Sequence, residues 1–360
     1  MSALFVTVIR LQALLAKEFR QLLRDPRMRF FVIVPPLVQL VVFGFAATFD
    51  VRAADIGVVD TARTQETREL VAAIAAGGRY RAGQYADMRS AAVGMQRGDI
   101  RAIVHFDTDF EDERAVQLVA DGSDSNSAQL VLGQLIGYIR EHERISTGFR
   151  PAVELEERAW YNPNLDDRQY FVPGIIANVV LIATLTLAAM TVVRERELGT
   201  LERLMVTPIG RLEFLVGKLV PVACVGLFDV VLVSAIAVFG LDVPFRGSFA
   251  ALMAGSVLFL MSTLGLGLLI SSYSTTQQQA VLLAVFFIMP AVLLSGFAFP
   301  IANMPETVQI VTYLDPLRYF LVVIRDVFLK GAGVGEHLRE YAMMALLGGA
   351  ALGLSSLRVR

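Results

Sequence analysis

Long apolar runs alternate with short charged stretches along this chain, and the alternation predicts membrane helices joined by loops. Phe171 to Val193, Leu219 to Leu241, Phe249 to Ile270 and Ala280 to about Ala298 are each long enough, at about twenty residues, to cross a bilayer core as a helix. Phe30 to Phe49 is of the same kind, although Pro35 and Pro36 should kink it or loosen its first turns. Tyr341 to Leu357 is shorter but can still cross, with Arg358 and Arg360 anchoring it inside. Ahead of these runs, Leu11, Leu14, Leu15, Phe19, Leu22 and Leu23 recur at helical spacing among Arg10, Lys17, Arg20, Arg24, Arg27 and Arg29. Residues 1–29 therefore read as a basic amphipathic helix on the inner membrane surface; the basic region is too long for a cleavable signal peptide. Six crossings with both termini cytoplasmic agree with the charges of the short loops.

Residues 50–170 break the pattern: apolar runs shorten and charge rises. Asp55–Asp60, Arg101–Phe106 and Ala115–Ala120 read as strands, Thr64–Ala76 and Asn126–Arg144 as helices. Strands alternating with helices predict a compact α/β domain, placed outside by a single preceding crossing. The Asp121–Asn126 stretch lacks the ligand spacing of a calcium loop and reads as a capped turn. Residues 299–340 are too polar to span and too apolar for an ordinary loop. Phe299–Pro305 breaks the fifth membrane helix, and Val308–Leu329 suits helices dipping partly into the outer leaflet. A surface amphipathic hairpin is the alternative.

Composition supports a polytopic membrane protein: 360 residues, 55% hydrophobic, 18% charged, mean hydropathy +0.58. A net charge of −2 and scattered basic residues give no nucleic-acid footprint. One cysteine, Cys224, and three distant histidines make no disulfide, redox or zinc motif, so no metal is expected. Asp229, within the third apolar run, is costly in a membrane. It reads as a functional acid or as an interhelical hydrogen bond, and the absence of a basic neighbour in sequence favours the second. No phosphate-binding loop is present: six residues separate Gly210 from Gly217, and Leu219 follows Lys218 where a Ser or Thr is needed.

The stretch around which the chain is organised is the charged loop of residues 194–218. Arg194, Arg196, Arg203, Arg211 and Lys218 place it in the cytoplasm. Interleaved Glu195, Glu197, Glu202 and Glu213, with Leu198, Leu201, Leu204 and Met205, suit a short amphipathic helix docking into a groove of a soluble partner, or else a solvated connector. Arg194-Glu-Arg-Glu-Leu-Gly-Thr-Leu-Glu-Arg-Leu-Met-Val-Thr-Pro208 with Gly217-Lys218 closely resembles the cytoplasmic loop of ABC-2 type transporter permeases. Gly57–Asp60, Val119–Asp124, Trp160–Pro163 and Tyr170–Gly174 resemble the external domain of the drug-efflux branch of that family. Leu314–Phe320 and Ile324–Gly331 resemble its re-entrant segment.

The resemblance implies an α-helical polytopic membrane protein of the ABC-2, type V exporter-like kind, with six transmembrane helices and an inserted α/β extracytoplasmic domain. It implies a bacterial inner-membrane permease that exports drugs or other amphiphiles and is not itself an ATPase. Binding no cofactor, it would be driven by a separate ATP-binding cassette subunit using ATP and Mg. A second permease chain, identical or paralogous, would complete the path, and a periplasmic adaptor belongs to the same picture. Arg194, Glu195, Glu197, Gly199, Thr200, Glu202, Leu204, Thr207 and Pro208 would form the ATPase-coupling loop. Gly296, Phe297, Phe299, Pro300, Pro316 and Arg325 would belong to the external gate. Apart from the resemblance, an ion-driven carrier and a membrane-anchored sensor stay open. The carrier should show several buried acids with basic partners; the sensor has little use for five further helices.

Overall fold

A computed structural model describes residues 3–24, 26–46, 54–113, 115–123, 125–147, 160–162, 166–200 and 210–358. In chain order the elements are α1 (Ala3–Arg24), α2 (Pro26–Ala46), β1 (Ala54–Asp60), α3 (Gln65–Ala76), β2 (Tyr80–Gln84), α4 (Met88–Arg97) and β3 (Ala102–Phe106). There follow α5 (Phe110–Glu113), β4 (Val116–Ala120), α6 (Ser125–Thr147), α7 (Asp167–Glu197), α8 (Arg211–Gly240), α9 (Phe249–Tyr273) and α10 (Gln277–Leu294). Last come α11 (Glu306–Val311), α12 (Pro316–Arg325) and α13 (Leu338–Arg358). The chain divides into two units, one of residues 48–158 and one of residues 1–47 with 159–360.

In the helical unit, α7, α8, α9, α10 and α13 are long and apolar enough to cross a membrane; a bent pair formed around α11 and α12 would make six. That pair breaks by 86° at Asp315. The break is set locally: Asp315 Oδ1 accepts from Leu317 N–H at 2.9 Å, and Pro316, with no N–H to offer, takes the first helical position. Beyond α12 the chain makes a π-helical turn, Asp326–Lys330, ended by Gly331 at φ 80°. The apolar segment of α2 is shorter, Val32–Val42, and its helix continues through Pro35 and Pro36, which were expected to kink it or loosen its first turns.

The spacing of leucines predicts one helix over residues 1–29, but the structure ends α1 at Arg24 and starts α2 at Pro26. Proline is suited to a first turn and not to an interior, so Arg27 and Arg29 belong to the second helix. The fifth apolar run likewise ends at Leu294, four residues early, because Gly296 turns the chain at φ 87°.

Helix α9 packs against α7, α8 and α13. Small residues allow the approach: a Cβ on Gly267 would stand 2.5 Å from Ala188 Cβ and 2.9 Å from Leu185 O of α7. Hydroxyls then bind across the interfaces, Ser262 to Met344 O at 2.9 Å, Thr184 to Thr263 at 3.1 Å and Tyr341 to Ala251 O at 2.9 Å. Phe259 of α9 stacks on Phe320 of α12 with centroids 4.5 Å apart.

The other unit holds a four-stranded sheet, order β2-β1-β3-β4, parallel except for the β3–β4 pair. Alternation along β1 explains its two layers. Ile56 and Val58 join Leu70, Ile74, Val131 and Leu135 of α3 and α6 on one face, and Val59 joins Ala91 of α4 on the other. Strand β2 and helix α4 escape the sequence pattern. Tyr80-Arg-Ala-Gly-Gln84 is a mostly exposed edge strand, and α4 buries only Ala91 and Gly94.

Candidate functional site

The charged stretch between α7 and α8 is less of a loop than its polarity suggests. Arg194–Glu197 form the last turn of α7 and Arg211–Lys218 the first two turns of α8, so the connection is Leu198–Gly210. Helical hydrogen bonding continues past the apolar run until Gly199 adopts φ 66°. Leu198 N–H bonds to Arg194 O and Thr200 N–H to Glu195 O, which satisfies carbonyls of the last turn. At the other end Glu213 accepts from the Gly210 N–H at 3.0 Å.

Glu195 is the centre of this region and is 4% exposed. Lys218 Nζ of α8 approaches its Oε1 at 2.5 Å and Glu18 Oε1 of α1 at 2.8 Å. Lys17 Nζ lies 3.3 Å from both carboxylates, and the Thr200 hydroxyl donates to Glu195. Two ammonium groups and two carboxylates thus form a balanced network joining α1, α7 and α8. Partial burial works against the charge of Lys17, but Glu18 and Glu195 outweigh it and hold its pKa above the ordinary lysine value. The backbone is close here too: a Cβ on Gly217 would meet the Leu14 side chain at 2.2 Å. Beside the network Arg194 lines a cavity of about 60 Å³ with Glu18, Leu22 and Lys218.

The same turn of α7 also grips the α9–α10 connection. Arg196 donates to Ser274 O at 2.7 Å, and Glu197 accepts from Gln277, whose N–H lies at 2.7 Å. One turn earlier the Val192 and Val193 amides donate to Ser271 Oγ at 3.0 and 3.2 Å. Glu195, Arg196 and Glu197 therefore tie the end of α7 to α1, to α8 and to the α9–α10 connection. Glu202, Leu204, Thr207 and Pro208, expected in the same site, lie outside the described residues.

Sequence reasoning did not bring Lys17, Glu18, Ser271, Ser274 or Gln277 to this site, and it read Lys218 only as a basic residue of the loop and its motif. One signal was available: the chain has three lysines against many arginines, and two of them meet at Glu195. Glu18 is likewise an acid set within a basic helix.

Asp229 is fully buried in α8, and neither carboxylate oxygen has a hydrogen-bond partner among the described residues. The interhelical bond expected of it is not formed. The hydroxyl one turn away, Thr184 against Gly226, is engaged with Val180 O and Thr263.

On the opposite side of the helical unit, Gly296 and Phe297 meet Arg325 and the start of α7. Arg325 Nη1 donates to Gly296 O at 3.2 Å, and its guanidinium lies 3.9 Å from the centre of the Tyr170 ring. Phe297 packs edge-on against Phe171 at 6.1 Å. Pro316 is buried at the 86° break, whereas Phe299 is exposed, 61%, and Pro300 starts a short 3₁₀ turn on the surface. These last three are not part of the Arg325 cluster.

Residues 26–357 match the family model described as ABC-2 family transporter protein. Two relatives of Escherichia coli K12 cover most of the chain. One, named probable multidrug ABC transporter permease YbhR, is 34% identical over 340 residues, 90% of this chain and 91% of the relative. The other, probable multidrug ABC transporter permease YbhS, is 35% identical over 338 residues, 89% of each. The linearmycin resistance permease protein LnrN of Bacillus subtilis strain 168 is 26% identical over 163 residues, 44% of this chain and 42% of its own.

Proposed function

Because this chain belongs to the ABC-2 family of transporter proteins, we propose that it exports drugs or other amphiphiles as the permease subunit of an ATP-driven complex. A separate ATPase subunit supplies the ATP and Mg chemistry, and a second permease chain, identical or paralogous, completes the path; a periplasmic adaptor extends it. The chain crosses the bacterial inner membrane six times through α2, α7, α8, α9, α10 and α13, with both termini cytoplasmic and the α11–α12 pair re-entrant on the outer side. That orientation follows the basic residues of the α7–α8 connection.

The observation that carries this reading is the anchoring of Glu195, Arg196 and Glu197. A partner pressing on the connection after Thr200 acts at once on α1, α7 and α8 through Glu195, and on the α9–α10 turn through Arg196 and Glu197. Closure of an ATPase dimer would bind one arrangement of these helices better than another, and that difference in affinity shifts access from one side to the other. The test is the Glu202→Arg variant, co-expressed with its ATPase in membrane vesicles. The expected result is intact insertion, with ATP hydrolysis no longer coupled to transport. Normal ATP-driven transport by this variant would sink the docking role.

A further inference from the structure

Arg325 has a feature that gating alone does not use. It stands at the end of α12, immediately before the π-helical turn, among Tyr170, Phe171, Gly174 and Phe297. Its Nη1 is occupied by Gly296 O. Its Nε and Nη2 are buried and make no well-formed hydrogen bond to a described residue, the Tyr170 side chain being the polar neighbour beside the guanidinium. These two N–H groups lie along one edge of the planar guanidinium, the edge whose spacing matches the two oxygens of a carboxylate or phosphate. The neighbouring acid does not fill it, since Asp326 is paired with Lys330 at 2.6 Å. A guanidinium removed from water with one edge unpaired is costly, so an occupant on that edge would gain more than it would in solution.

We propose that the open edge of Arg325 receives the anionic head, carboxylate or phosphate, of an amphiphile at the external mouth. Tyr170 holds the guanidinium plane from below, and Phe171 and Phe297 meet the apolar body. A Cβ on Gly174 would stand 2.7 Å from Phe297 and 3.4 Å from Arg325 Nη2, so ring and guanidinium share one corner of α7. Phe297 thus belongs to the same corner as the Nη2 end of that edge. It follows Gly296, whose φ of 87° is open to few other residues, so the position of the Phe297 ring is set by that glycine. The head can belong to cargo or to a resident lipid; the chemistry at Arg325 is the same.

This inference rests on the export reading for its purpose, but its test does not involve ATP or ATPase, so the two can fail separately. The full chain is placed in nanodiscs of zwitterionic lipid and titrated with dodecyl phosphate, dodecyltrimethylammonium and inorganic phosphate. Dodecyl phosphate is expected to bind saturably and about tenfold or more tighter than dodecyltrimethylammonium, the gain of a bidentate charged hydrogen bond. Arg325→Gln should abolish that preference. Arg325→Lys keeps the charge but loses the fork, so it should retain a reduced preference and shows that loss in the first variant is not misfolding. Adding phosphatidylglycerol to the disc separates the sources. If it competes, a lipid head occupies the site, and if it does not, the site selects cargo; both support the assignment. Equal binding of the two detergent heads, a preference untouched by either variant, or inorganic phosphate binding as tightly as dodecyl phosphate would overturn it.

Discussion

Replacing Lys218 with methionine separates a buried electrostatic network from a decorative surface pair. The Lys218 side chain is 4% exposed and bridges Glu195 at 2.5 Å and Glu18 at 2.8 Å, whose side chains are 5% and 13% exposed. Its removal leaves the two carboxylates with the half-exposed Lys17 as their remaining cation, and breaking such a buried pair costs about 3–5 kcal/mol. Lys17 touches the same carboxylates at 3.3 Å, but its side chain is 46% exposed. Lys17→Met should therefore cost no more than about 1 kcal/mol. The double variant Lys218→Met/Glu195→Met removes both partners of the tightest contact and leaves Glu18 beside Lys17. It should be markedly less destabilised than the sum of the two single variants, with a coupling of about 2 kcal/mol or more. The assay is denaturation by sodium dodecyl sulfate in mixed micelles, followed by circular dichroism, on the four forms of the 218/195 cycle and on Lys17→Met. Equal midpoints for Lys218→Met and Lys17→Met, or additive effects in the cycle, would refute the claim that this network binds α1 to α7 and α8.

Gly267→Val tests the packing of α9 on α7. A Cβ there already falls 2.5 Å from Ala188 Cβ and 2.9 Å from a backbone carbonyl, so two further methyl groups should cost about 1–3 kcal/mol or more and lower the yield of folded protein. A midpoint unchanged in the same micelle assay would count against close helix contact. In the other unit, burial first, then the neighbouring Tyr138, pushes the Tyr80 hydroxyl up to about 12. A folded value above the unfolded one near 10 means that its contribution to stability is complete below about pH 10 and is lost as pH rises toward 12. The difference in 295 nm absorbance between the parent chain and Tyr80→Phe should show one tyrosine ionising near 12. A midpoint near 10 would contradict the burial argument.

Much of the helical unit was legible because a crossing helix is written as one continuous apolar run. The four runs from Phe171 onward correspond to α7, α8, α9 and α10, with most ends within four residues; α8 begins eight residues early, at Arg211, because two polar turns precede its apolar run, and Gly296 ends α10 early. The α1–α2 break at Pro26 was present in the sequence but was outweighed by leucine spacing that continued across it. Strands β1, β3 and β4 were visible through their apolar content, whereas β2 lies at an edge and has little to bury. The network at Glu195 was not legible. Its partners are 178 and 23 residues away, and charge complementarity at that separation leaves no local period. The orphaned edge of Arg325 was equally hidden, since sequence shows that an arginine is present but not which of its nitrogens are satisfied.

Among the described residues, the end of α7 is held by contacts from stretches far apart in sequence: Lys17 and Glu18, Lys218, and Ser274 with Gln277. Chain order thus says little about mechanical order. The first helix of the chain bears on the end of α7 as directly as α8, which follows it.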